Sequence, residues 1–97
     1  MNRKKIIYSI LKEIDKGNEP KKEDYELEME QWGEIASLIK NEGYATGINV
    51  LYADDNVYLV IYSSPKLTIK GIDFLEENSG WAKTYKGLKE VRDWIKP

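Results

Sequence analysis

The chain has 97 residues, 41% apolar and 33% charged, with a net charge of −2, enough for one domain over residues 1–97 with a single modest core. It contains no cysteine and no histidine, which excludes a disulfide frame and thiolate zinc sites and removes the commonest general base and transition-metal ligand. The charge is uneven: residues 1–16 and 81–97 each carry five basic and two acidic groups, whereas residues 17–80 carry five basic against thirteen acidic groups.

Ile6, Ile7, Ile10, Leu11 and Ile14 form one apolar stripe at helical spacing. Asn2 is placed to cap that helix, and Gly17-Asn18 supplies a left-handed stop. Pro20 breaks any continuation, and Lys21 to Leu27 has room for one or two helical turns, with Tyr25 and Leu27 as its apolar contribution. A second long helix is predicted from about residue 28 to Glu42, where Met29, Trp32, Ile35, Ala36 and Ile39 share a face. Gly43 ends it as a C′ glycine.

Alternating residues from Gly47 to Ala53 predict a strand, and Asp54-Asp55-Asn56 has the chemistry of a tight turn. The return strand, Val57 to Tyr62, is apolar at every position, so neither of its faces looks suited to open water. Ser63-Ser64-Pro65 reads as a break. Thr68 can cap a helix carrying Ile69, Ile72, Phe74 and Leu75 that stops near Asn78. A last helix is predicted over about Trp81 to Ile95, with Thr84, Leu88, Val91, Trp94 and Ile95 on one arc and Lys86, Lys89, Arg92 and Lys96 on another.

The expected class is therefore α+β and mostly helical. The element order is that of a winged helix-turn-helix: a three-helix core, a β-hairpin wing and two additional C-terminal helices. The longest apolar run has six residues, against the ~20 that a membrane span needs. Lys12 and Glu13 interrupt the N-terminal apolar stretch too early for a signal peptide, so a cytoplasmic location and no membrane partner are expected.

These residues resemble the YjcQ-like family, small uncharacterised proteins of Gram-positive bacteria and their prophages. The likeness rests on Lys12-Glu13-Ile14 with Gly17-Asn18, the Glu42-Gly43-Tyr44 helix end, and Leu67-Thr68 followed by Lys70-Gly71. Trp81-Ala82-Lys83-Thr84-Tyr85-Lys86 and Trp94-Ile95 carry its most specific part. The resemblance implies a winged-helix fold and a bacterial or prophage context. It brings no activity, ligand, cofactor or catalytic residue.

Two function classes follow. In the first, a winged helix binds DNA or regulates transcription: Ser37 and Asn41 on the outer face of the second long helix read bases, and Lys66 and Lys70 contact phosphates. The basic stripe Lys86, Lys89 and Arg92 offers a second nucleic-acid surface, or simply the wet face of an amphipathic helix. Glu30, Glu34, Asp54 and Asp55 oppose the first class, because they put negative charge where phosphates would lie. In the second class the acidic helix face, Glu30 and Glu34, engages a basic protein, or Tyr52, Tyr58 and Tyr62 of the hairpin mediate a homodimer.

Catalysis has no constellation to rest on. The carboxylate pairs Asp54-Asp55 and Glu76-Glu77 are sequence neighbours with no companion nucleophile, and the glycines form no phosphate loop. No enzyme, metal, cofactor or small-molecule substrate is expected.

Overall fold

A computed structural model describes residues 3–80. Its elements in chain order are α1 (Arg3–Asp15), a single 3-10 turn (Lys22–Tyr25), α2 (Met29–Asn41), β1 (Ala45–Ala53), β2 (Asn56–Leu67) and α3 (Ile69–Glu77). The two strands form one antiparallel sheet.

The helices stop where the glycines dictate. Gly17 and Gly43 both have positive φ, +84° and +74°. After α1, the amides of Gly17 and Asn18 donate back to the carbonyls of Ile14 and Glu13, both at 2.9 Å. After α2, Gly43 and Tyr44 donate to Lys40 and Ile39 at 3.1 and 3.0 Å. Both patterns are the paired back-bonding of a left-handed C′ residue, which satisfies carbonyls the helix leaves open. At its start α2 carries a reciprocal box: the Glu28 side chain caps the backbone of Gln31, and the Glu28 amide donates to Gln31 Oε1 at 3.2 Å.

The apolar stripes meet in one core. Ile6, Ile10 and Leu11 of α1 lie fully buried against Ile35 and Ile39 of α2, with Ile48 and Phe74 closing the cluster. Each such side chain contributes on the order of 1.5–3 kcal/mol by leaving water. The 3-10 turn is tied in by Tyr25, whose hydroxyl meets Ser9 Oγ at 3.0 Å in the interior and whose ring lies 5.4 Å from that of Trp32.

The hairpin turns in two residues, Asp54 and Asp55, both at positive φ (+50° and +68°), since Ala53 pairs with Asn56. That is the turn whose twist suits a right-handed hairpin. Ser63-Ser64-Pro65 does not break β2, contrary to the sequence reading. The strand runs through to Leu67, and the mismatch is absorbed where Gly47 (φ +79°) opposes Ser63–Pro65. A Cβ on Gly47 would collide with the Ser63 carbonyl, so a bulge built on glycine replaces the expected break.

The expectation of a three-helix core, a β-hairpin wing and two additional C-terminal helices is not met. The described residues hold three α-helices and a two-stranded sheet. The short helix expected between α1 and α2 is one 3-10 turn, and among the described residues a single α-helix follows the hairpin. A 3-10 turn of four residues is too short to serve as the second helix of such a core. The helix predicted over Trp81–Ile95 lies outside the described residues, as does Asn2.

A second correction concerns the return strand. Val60 and Tyr62 turn inward with Ile48 and Val50, but Leu51, Leu59 and Ile61 face outward and are exposed. The strand is apolar on both faces, yet among the described residues only one face is covered.

Candidate functional site

The helix face read from sequence as a solvent surface is flanked by the tip of the hairpin, and Glu30, Glu34 and Asn41 remain exposed on it. Glu30 Oε1 accepts the backbone N–H of Val57 at 2.9 Å, and Gly33 lies directly beneath the Val57 side chain. Glu34 pairs with Arg3 of α1 at 2.8 Å, and Ser37 Oγ meets the Tyr52 hydroxyl at 3.4 Å. A groove of about 450 Å³ results, with Leu38 and Val57 as apolar surface, Tyr52 on the hairpin side, and Glu34, Ser37 and Asn41 along the helix. Tyr52 is 58% exposed and offers most of its ring to solvent.

The packing explains why the sequence folds this way locally. Glycine inside α2 costs helix stability of roughly 1 kcal/mol relative to alanine, and here it permits the hairpin to approach. A bulge at Tyr58, between the Leu51–Leu59 and Tyr52–Val57 pairs, swings the tip across the helix and leaves Tyr58 67% exposed.

The sequence-predicted residues are dispersed. Ser37 and Asn41 do share the groove with Glu30 and Glu34. Lys66 sits opposite Thr46 at the other end of the hairpin. Lys70 is engaged locally: its ammonium lies 3.7 Å from Glu42 and 5.8 Å from the centre of the Tyr44 ring. Lys86, Lys89 and Arg92 lie outside the described residues. The three tyrosines separate as well. Tyr52 flanks the groove and Tyr58 stands at the tip, whereas Tyr62 packs 6.1 Å from Trp32, its hydroxyl buried without a hydrogen-bond partner. Burial pushes the Tyr62 hydroxyl well above the ordinary phenol value, and the negative charge of Glu19 adds to it.

Sequence reasoning missed Leu38 and Val57 as groove residues, and missed Gly33 as the point of closest approach. Gly33 carried a usable signal, because a glycine in mid-helix often marks a backbone that something else must reach. Among the described residues no three acidic side chains converge closely enough to hold a metal ion, and no helix is long and apolar enough to cross a membrane.

The described residues form a small α+β domain with an acidic, partly apolar groove between α2 and the hairpin tip. The family model described as YjcQ protein matches residues 8–94, and the chain belongs to that family. It is 43% identical over 97 residues to "Uncharacterized protein YjcQ" of Bacillus subtilis (strain 168), covering 99% of this chain and 100% of that one. The solution NMR structure of the YjcQ protein from Bacillus subtilis superposes with a TM-score of 0.56 at 37% identity, over 79% of this chain and 96% of that one.

Proposed function

We propose that this protein is a non-enzymatic interaction module, acting in the cytoplasm, whose groove between α2 and the hairpin takes a basic, amphipathic segment of a protein partner. The observation that carries this reading is the groove itself. Leu38, Val57 and the exposed Tyr52 ring provide apolar contact, and Glu30 and Glu34 set a negative rim. Tyrosine is favoured in interface cores because it adds large area at small entropic cost. The Glu34–Arg3 pair is half-exposed on both sides, and such pairs are worth only about 0–1 kcal/mol. An incoming cation can replace Arg3 at little cost.

The nucleic-acid reading is the less favoured one. Its base-reading candidates, Ser37 and Asn41, share their recess with two carboxylates, and one of its phosphate candidates is already paired with Glu42. Phosphate neutralisation by Lys and Arg is the main source of non-specific DNA affinity, and this surface has the opposite sign.

The test is a pair of titrations on the full chain at ~50 and ~200 mM salt, where charge-driven binding weakens steeply. One uses a labelled helix-forming peptide with lysines along one side and leucines along the other; the second uses labelled duplex DNA. Peptide binding that is lost in Tyr52→Ala and in Glu34→Lys is expected. Duplex binding at low salt with no peptide binding overturns the proposal.

A further inference from the structure

The groove has an occupant within reach of the sequence. We propose that it receives the basic C-terminal segment, residues 81–97, of a second copy of this chain, exchanged reciprocally in a two-fold dimer. This rests on the reading of the groove as a site for a basic amphipathic segment.

Charge complementarity is the first argument. Residues 81–97 carry five basic and two acidic groups, whereas the residues that line the groove include the carboxylates of Glu30 and Glu34 and no basic side chain. The sequence pattern of the segment is that of the ligand the groove suits. Leu88, Val91, Trp94 and Ile95 recur on one arc for Leu38, Val57 and Tyr52 to meet, and Lys86, Lys89 and Arg92 recur on another for Glu30 and Glu34. As a helix the 17 residues measure about 25 Å, and α2 with its 13 residues about 20 Å. The two can lie along each other.

The place where the described chain ends selects a second copy over the same one. Ser79 borders a different cavity, beside Tyr8, Lys12 and Asp15 of α1. The groove lies by the start of α1, where Arg3 reaches Glu34, and Ser79 is not among the residues that line it. The described chain therefore ends at a cavity other than its own groove. A neighbouring copy approaches the groove from outside. Reciprocal exchange satisfies both grooves and closes the assembly at two, which is the commonest symmetry for such contacts.

Complementation in the full chain provides the test. One variant carries a damaged groove (Glu34→Lys with Tyr52→Ala) and an intact segment. A second carries an intact groove and a reversed segment (Lys86→Glu, Lys89→Glu, Arg92→Glu). Circular dichroism establishes that each is folded. Light scattering across concentration at low salt is expected to give twice the monomer mass for the parent chain and the monomer mass for each variant alone. Their equimolar mixture is expected to recover a dimer, because one intact segment can still enter one intact groove. A parent chain that stays monomeric, a variant that still dimerises, or a mixture that does not associate overturns the exchange. Binding of the unrelated lysine–leucine peptide separates the two ideas. If that peptide binds while the parent stays monomeric, the homotypic occupant falls and the interaction groove stands; if neither associates, both fall.

Discussion

Glu30 Oε1 accepts the amide of Val57 at 2.9 Å, joining the first turn of α2 to the first residues of the return strand across 27 positions of sequence. A carboxylate from the negative-charge-favouring end of a helix here satisfies a strand amide that points away from its own ladder. The bond fixes how far the hairpin tip leans over the helix, and with it the width of the groove.

Removing that acceptor should loosen the tip. Glu30→Ala is expected to cost about 1 kcal/mol, the typical net worth of a hydrogen bond and less than a buried charged one contributes, because the site is exposed. Glu30→Gln keeps an acceptor and should cost about half as much. Urea unfolding of the three proteins reads the difference, and amide exchange at Val57 should accelerate in Glu30→Ala.

Gly71 explains the glycine of the Leu67-Thr68-x-x-Gly71 element. Thr68 Oγ1 accepts from the Gly71 amide at 3.1 Å and donates to the Gly43 carbonyl, while the Thr68 amide donates to Tyr44 at 3.1 Å. This docks the first turn of α3 on the end of α2, so closely that a Cβ on Gly71 would strike the Tyr44 carbonyl. Backbone cannot step aside as a side chain can. Gly71→Ala should therefore lose about 2 kcal/mol or more despite alanine's better helix propensity, measured as a lowered denaturation midpoint.

Gly33 offers a contrasting case, because its obstacle is the Val57 side chain, 2.5 Å from where a Cβ would stand. Gly33→Ala is expected to destabilise by about 1 kcal/mol, overpacking of roughly 1–3 kcal/mol being offset in part by helix propensity. Adding Val57→Ala should recover most of the loss. A double-mutant cycle giving additive effects would contradict direct contact.

Tyr62 makes alkaline stability a readout of the core. Its hydroxyl is buried without a partner, and burial followed by the charge of Glu19 raises its pKa. The unfolded chain ionises near the ordinary phenol value of about 10 while the folded chain keeps its proton. The unfolded state is therefore favoured increasingly as pH rises through that value, by at most about 1.4 kcal/mol per pH unit. Tyr8, raised by burial as well, contributes with the same sign. Tyr62→Phe should leave stability at pH 7 unchanged or higher by about 1 kcal/mol, since it deletes an unsatisfied polar atom, and should move the onset of alkaline unfolding upward. Thermal melts from neutral to strongly alkaline pH report both.

Much of this protein is written locally. The stripe of α1, the face of α2, the glycine stops at Gly17 and Gly43, the Thr68 cap and the aspartate turn all depend on residues within a few positions of one another, and all stand where sequence places them. The family is legible too, in short strings such as Glu42-Gly43-Tyr44. What lies over each face is a different matter. Periodicity tells which residues of α2 point together, but not that the tip of the hairpin will come to lie beside Glu30 and Ser37. Nor does it tell that a glycine bulge will carry β2 past Ser63–Pro65. Those outcomes belong to long-range packing: the absent side chains of Gly33, Gly47 and Gly71 let backbones approach, and the approach turned an expected recognition surface into an acidic groove.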